Sequence, residues 1–176
     1  IVSSATKADA TDGGIRITGT TNDDRLRLDV AKLSSAGPTA TITFVGGLDT
    51  TATNADTDTV IVQQDADFSL AGSTLSVGAT SFAFAGVERL DLIGGDSANT
   101  FTLGENDMAA VTVTGGNADD TLVGPNARNN WAIGSDDVNV NAGSLNDKVA
   151  FSGIENITGG SDADVFTFAE GASITG

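Results

Sequence analysis

The 176-residue chain has no cysteine, no histidine and no tyrosine, and only one tryptophan and two prolines. Without Cys there are no disulfides, no thiolate chemistry and no cysteine-type zinc sites. Without His, the usual general base and the commonest transition-metal ligand are missing. No apolar run approaches the ~18 residues of a spanning helix, so no membrane insertion is expected. No charged region followed by an apolar stretch marks a signal peptide. Basic residues are scarce, 8 Lys plus Arg against 24 Asp plus Glu for a net charge of −16. Phosphate binding needs clustered cations, so nucleic acid is not an expected partner. An acidic surface instead suits divalent cations or plain solvation.

What the chain has is glycine, 22 residues of it, with eight Phe and many Thr, Asp, Asn, Val and Ala. That mixture favours short strands joined by tight turns over long helices. Its length suits one sizeable core. Residues 1–13 are small and polar and are expected to be a connector or a frayed first coil, with one domain over 14–176. A start without Met, and an end inside the repeat-like Ala172-Ser173-Ile174-Thr175-Gly176, give the expectation of a piece of a longer repeat protein.

The organising unit is an alternating apolar run, a Gly-Gly turn with acidic or polar residues, and a second short apolar run. It is clear at Gly94-Gly95-Asp96-Ser97-Ala98-Asn99, at Gly115-Gly116-Asn117-Ala118-Asp119-Asp120 and at Gly159-Gly160-Ser161-Asp162-Ala163-Asp164. Gly19-Thr20 opens a weaker copy, and Gly46-Gly47 opens one lengthened by an acidic, Thr-rich insertion from Leu48 to Thr57. The spacings resolve into steps of 21–24 residues, with skipped steps near Ala71-Gly72 and Ser135-Asp136-Asp137. Such a period belongs to solenoids, and dividing the chain by about 22 predicts 8 coils. At about 4.8 Å per layer they would form a rod roughly 35–40 Å long.

A longer correspondence relates Phe84-Ala85-Gly86-Val87-Glu88 to Phe151-Ser152-Gly153-Ile154-Glu155 at an offset of 67 residues. Phe101, Leu103, Leu122, Val123, Phe166 and Phe168 are expected to point inward. Only residues 29–36 and 104–110 suggest a helical turn, and either suits a loop equally. The predicted fold is an all-β, right-handed parallel β-helix or β-solenoid with about 22 residues per coil, with an antiparallel β-sandwich as the alternative.

The three clear units resemble degenerate copies of the calcium-binding nonapeptide of secreted bacterial toxins and proteases, G-G-x-G-x-D-x-U-x. They keep the glycine pair, the acidic sixth position as Asp120 and Asp164 (Asn99 in the other unit), and the apolar eighth as Phe101, Leu122 and Phe166. They replace the fourth-position glycine with Ser97, Ala118 and Asp162, and they lack tandem nonads. The resemblance implies Ca2+ as the cofactor, with Asp96, Asn99, Asp119, Asp120, Asp162 and Asp164 as candidate ligands. Purely structural acidic turns are the other reading.

The phrase from Phe151 to Phe168, and the similar one from Phe84 to Leu103, resemble repeats of very large exported bacterial surface proteins, including filamentous haemagglutinin-like adhesins. That resemblance implies a right-handed parallel β-helix, an extracellular or cell-surface location, and a stalk, adhesin or filament role. Cell-surface or matrix partners go with it. End-to-end self-association is expected as well, because open strand edges invite pairing.

Parallel β-helices also carry polysaccharide lyases and glycoside hydrolases, so a carbohydrate-active enzyme is the alternative from another class. Asp23-Asp24, Asp119-Asp120 and Asp136-Asp137 are adjacent pairs. Strand neighbours point to opposite faces, however, so adjacency does not converge them on one substrate. A groove holding two carboxylates and an Arg or Lys would favour that alternative. Trp131 reads as a core residue before a sugar platform. Glu88 and Glu155 read either as ligands or as corner carboxylates that accept backbone N–H groups. The expectation is a non-catalytic, extracellular structural or adhesive repeat segment.

Overall fold

The computed structural model describes residues 15–30, 41–47, 56–106, 108–134 and 140–176. Among the described residues sixteen strands make up an all-β fold. The first eight are β1 (Ile15–Thr18), β2 (Arg25–Asp29), β3 (Thr41–Val45), β4 (Thr59–Gln63), β5 (Phe68–Gly72), β6 (Thr74–Val77), β7 (Thr80–Ala85) and β8 (Arg89–Ile93). The others are β9 (Thr100–Asn106), β10 (Ala110–Thr114), β11 (Thr121–Val123), β12 (Asn130–Ile133), β13 (Ala142–Leu145), β14 (Val149–Ser152), β15 (Asn156–Thr158) and β16 (Val165–Phe168). Among the described residues no helix is long and apolar enough to cross a membrane.

The strands form two eight-stranded sheets. One runs β1-β3-β7-β6-β5-β9-β11-β15 and the other β2-β4-β8-β10-β14-β13-β12-β16. Pairing is parallel except inside two meanders, β5-β6-β7 in the first sheet and β12-β13-β14 in the second. The chain alternates between the sheets and visits each six times, once per sheet through a meander. Eight layers per sheet therefore arise from six passes plus two extra meander strands, where eight uniform coils were expected.

Register explains why the apolar residues alternate. In the second sheet Leu26, Val60, Leu90, Val111 and Val149 form one row across five parallel strands. Leu28, Val62, Leu92, Val113 and Phe151 form the next. All ten are buried. In the first sheet Phe68 pairs with Phe101 and Phe101 with Leu122. The rings of Phe68 and Phe101 stack with centroids 4.8 Å apart at 9°. Each such side chain contributes roughly 1.5–3 kcal/mol through burial. Trp131 is buried, in line with its reading as a core residue.

Four sequence expectations change here. Val123 faces outward, because it follows the inward Leu122 in a period-two strand. Phe166 and Phe168 are 45% and 53% exposed, because β16 is an edge strand with no layer beyond it. Residues 104–110 hold the end of β9 and the start of β10, with residue 107 outside the described set, so they are no helical turn. Ala71-Gly72-Ser73 is the β5–β6 hairpin, with Gly72 at φ 55°, and marks no skipped coil. The expectations for residues 1–13, Ser135-Asp136-Asp137 and most of residues 29–36 and Leu48–Thr57 lie outside the described residues.

The 67-residue correspondence has a topological meaning. Phe84-Ala85-Gly86-Val87-Glu88 leaves the first-sheet meander for β8, and Phe151-Ser152-Gly153-Ile154-Glu155 leaves the second-sheet meander for β15. Gly86 and Gly153 have φ of 58° and 61°, the left-handed conformation glycine adopts without strain. The repeat holds an odd number of crossings, so equivalent segments lie in opposite sheets.

Candidate functional site

The Gly-Gly units are the connections between the sheets, and they stack on both lateral edges. Gly19, Gly46 and Gly86 open successive turns on one edge, and Gly94, Gly115 and Gly153 do so on the other. A Cβ at Gly46 would collide with the carbonyl oxygen of Gly86 and the carboxylate of Asp58. A Cβ at Gly115 would meet the Gly153 carbonyl and Asp120 in the same way. The second glycine answers to the opposite neighbour, since a Cβ at Gly116 would strike the Gly95 carbonyl. The glycine pair is thus required by close backbone approach from both sides.

Five residues after the opening glycine stands an acid or an amide: Asp24, Asn99, Asp120, Asn129 and Asp164. These residues and their equivalents form ladders. On the first edge Asp24 N–H donates to Asp58 Oδ1 at 2.7 Å, and Asp58 N–H donates to Glu88 Oε2 at 2.9 Å. On the second, Asn99 N–H donates to Asp120 Oδ1 at 2.7 Å and Asp120 N–H to Glu155 Oε2 at 2.8 Å. A third step joins Asn129 N–H to Asp164 Oδ1 at 3.0 Å. The remaining oxygen folds back on its own turn. Gly95 donates to Asn99 Oδ1 at 2.9 Å, Gly160 to Asp164 Oδ2 at 3.0 Å, and Thr20 to Asp24 Oδ2.

Asp58 and Asp120 occupy equivalent inner positions and share their electrostatics. Both are buried. Burial pushes the Asp58 carboxyl up to about 6, against the lowering effect of the Asp24 N–H, and the negative charges of Asp56, Glu88 and Asp24 add to the rise. Burial likewise raises Asp120, with Glu155, Asp65 and Asp119 adding to it and the Asn99 N–H opposing. Asp120 Oδ2 is buried and has no hydrogen-bond partner. In the sister turns the second residue supplies that bond, whereas Gly116 adopts φ 145°. Asp65 is held low by hydrogen bonds from the Asn99 side chain and from the side chain and backbone of Ser97.

The six candidate calcium ligands are therefore divided among separate turns. Asp96 is exposed and accepts from Asn117 Nδ2 at 2.7 Å. Asp119 and Asp162 are exposed, and Asn99, Asp120 and Asp164 belong to the ladders. Among the described residues no group of three or more Asp and Glu side chains is arranged to hold a metal ion. Oδ1 of Asp120 and Oδ1 of Asp164 each accept a backbone N–H group of the neighbouring layer.

Sequence reasoning found Glu88 and Glu155 as corner acceptors and missed Asp58. The insertion places Asp58 twelve residues from Gly46 in place of five, which hides its equivalence. It also missed Asp65, which lies outside any Gly-Gly unit and serves the turn that follows.

Cavities lie beside the turns. One of about 490 Å³ is lined by Arg27, Asp29, Gln63, Asp65 and Asp96, among others. There the Arg27 guanidinium donates to Gln63 Oε1 at 2.6 Å. Another, about 570 Å³, opens near Leu103, Glu105, Asn106, Lys148 and Val149. Lys148 Nζ donates to the Asn106 carbonyl oxygen at 2.6 Å. No family model, no curated protein and no solved structure matches the chain.

Proposed function

We propose that the chain is a non-catalytic structural or adhesive repeat segment of an extracellular bacterial surface or filament-forming protein, built as a right-handed parallel β-helix. The observation that carries this reading is the use made of the turn carboxylates. Asp58, Glu88, Asp120, Glu155 and Asp164 accept backbone N–H groups from the neighbouring layer and hold the stack together. Parallel register outside the two meanders and a chain that alternates between the sheets support the solenoid form. Right-handed crossovers are the rule for parallel strands joined in one sheet. Cell-surface or matrix components are the partners this role implies.

The cavity at Arg27, Asp29, Asp65 and Asp96 favours the second reading, a carbohydrate-active β-helix enzyme. It brings carboxylates and one arginine to a single depression, the constellation that glycosidic cleavage or elimination employs. Against that reading, the Asp65 carboxyl is held below its ordinary value, which suits a general acid poorly.

One experiment separates the two. The purified chain is incubated with neutral and acidic polysaccharides while new reducing ends and unsaturated products are followed. In parallel, its retention on bacterial cell surfaces is compared with that of an unrelated protein of similar charge. Retention without product release is expected. Product release that Asp65→Asn abolishes would establish the enzyme instead.

A further inference from the structure

The stack of turns is interrupted on one lateral edge. There the chain leaves the first sheet from β7, β9 and β11 in turn, while β5–β6 and β13–β14 close as hairpins at Gly72 and at Asn146-Asp147. The crossings β7–β8 and β11–β12 join strands at equal positions in their sheets. β9, however, is sixth in its sheet and β10 fourth in the other, so the segment between them runs obliquely. An oblique crossing leaves a gap before the next one. The cavity of about 570 Å³ lies in that gap, lined by both crossings and by the β13–β14 hairpin.

Its walls are of three kinds. Leu103, Leu145 and Val149 are buried core residues that give it an apolar floor. Lys148 is half-buried, and its Nζ donates one of its three N–H groups to the Asn106 carbonyl oxygen at 2.6 Å. Asn106 Nδ2 donates to the Gly104 carbonyl oxygen at 3.1 Å, but Asn106 Oδ1 is shut off from water and has no hydrogen-bond partner among the described residues. Leaving such an acceptor unmet costs free energy that a ligand N–H recovers. Glu105, the next residue back along β9, adds an exposed carboxylate.

We propose that this cavity binds a free α-amino acid with an aliphatic side chain. The ligand carboxylate pairs with the Lys148 ammonium, and the ligand ammonium answers Asn106 Oδ1 and the Glu105 carboxylate. The aliphatic side chain lies on Leu103, Leu145 and Val149. The contact between Lys148 and Asn106 makes the cation and the open acceptor neighbours, as the two charged groups of an α-amino acid are. A plain aliphatic acid would leave Asn106 Oδ1 without a donor. An uncharged polyol would match neither the Lys148 charge nor the apolar floor. The site stands apart from the stacked turns and holds whether the chain is a scaffold or an enzyme.

Calorimetric titration of the intact chain with L-leucine tests the proposal, beside three compounds that each lack one group. Glycine lacks the side chain, isocaproate the ammonium and leucinamide the carboxylate. The expected result is a single site with a dissociation constant of roughly 0.1–1 mM for leucine. Each analogue should bind at least about tenfold more weakly. Lys148→Met should weaken leucine by at least about tenfold, while Arg16→Met, an equal charge change on the exposed face of β1, leaves it unchanged. Absence of binding at roughly 10 mM leucine, by calorimetry and by melting temperature alike, would overturn the proposal. So would any analogue that binds as tightly as leucine, or a Lys148→Met chain that binds it as the parent does. If Lys148→Met fails to fold, the analogue series on the parent chain decides alone.

Discussion

The backbone N–H of Asn99 donates to Oδ1 of Asp120 at 2.7 Å, across a separation of 21 residues. Both side chains are buried, so neither group has water as an alternative partner. Asp120→Ala should therefore cost about 1–3 kcal/mol by leaving the Asn99 N–H unsatisfied. Asp120→Asn keeps the acceptor, removes a buried charge, and should cost less or stabilise near pH 7. Urea melts of the two variants give the comparison; equal losses would mean that the hydrogen bond is immaterial.

Asp58 supplies a pH signature. Its folded pKa of about 6 lies above the ordinary 3.8, so the folded state holds the extra proton between those values. Its contribution then becomes more favourable as pH falls through 6 toward 3.8 and is flat below. Asp58→Asn should stabilise the chain at pH 7 by about 1–2 kcal/mol, after allowance for screening by nearby water. The difference from the parent should shrink toward pH 4. Denaturant melts at pH 4, 5, 6 and 7 provide the test, and a pH-independent difference would refute the assignment.

Glycines should divide into two classes. Gly115→Ala forces a methyl group into the Gly153 carbonyl and Asp120, so the stacked turns must separate, and a loss above about 3 kcal/mol is expected. Gly72 has φ 55°, but a methyl group there would meet nothing within 4 Å, so Gly72→Ala should cost only the backbone strain, about 1–2 kcal/mol. Melting temperatures in the reverse order would contradict the close approach.

The ladders also fix an expectation for calcium. Oδ1 of Asp120 and of Asp164 is engaged by a backbone N–H group, so thermal melts in millimolar calcium and in chelator should coincide. A collapse of the melting temperature in chelator would show that the acidic turns bind the ion.

The stacked rings of Phe68 and Phe101 should be coupled. Each change to Ala is expected to cost about 3–5 kcal/mol, with a double-mutant coupling of about 0.5–1.5 kcal/mol. A coupling of zero would mean that the stacking adds nothing to burial.

Much of this architecture is legible in the residues. Period-two alternation at Arg25-Leu26-Arg27-Leu28 and Leu90-Asp91-Leu92 identifies half-buried strands, and the glycine pairs that begin at Gly46, Gly94, Gly115 and Gly159 each mark a crossing. The breaks between residues 67 and 84 also separate the three strands of the first meander. What the spacing could not convey is direction. Gly72 reads as one more turn in a series, yet it reverses the chain within a sheet, which depends on where β5 finds its partner, β9. The outward Val123 follows from strict alternation, but adjacent Leu and Val look alike in composition. A turn acid bound to N–H groups and one bound to an ion have the same sequence. Only the position of the neighbouring layer tells them apart.

The odd number of crossings in the 67-residue repeat sets a parity. Any feature carried by one copy, such as the corner at Gly86-Val87-Glu88, returns in the next on the opposite flank, at Gly153-Ile154-Glu155. A longer array of such repeats would display each motif alternately left and right along its length. A binding feature written once per repeat would then serve two sides, and neighbouring sites on the same side would be two repeats apart.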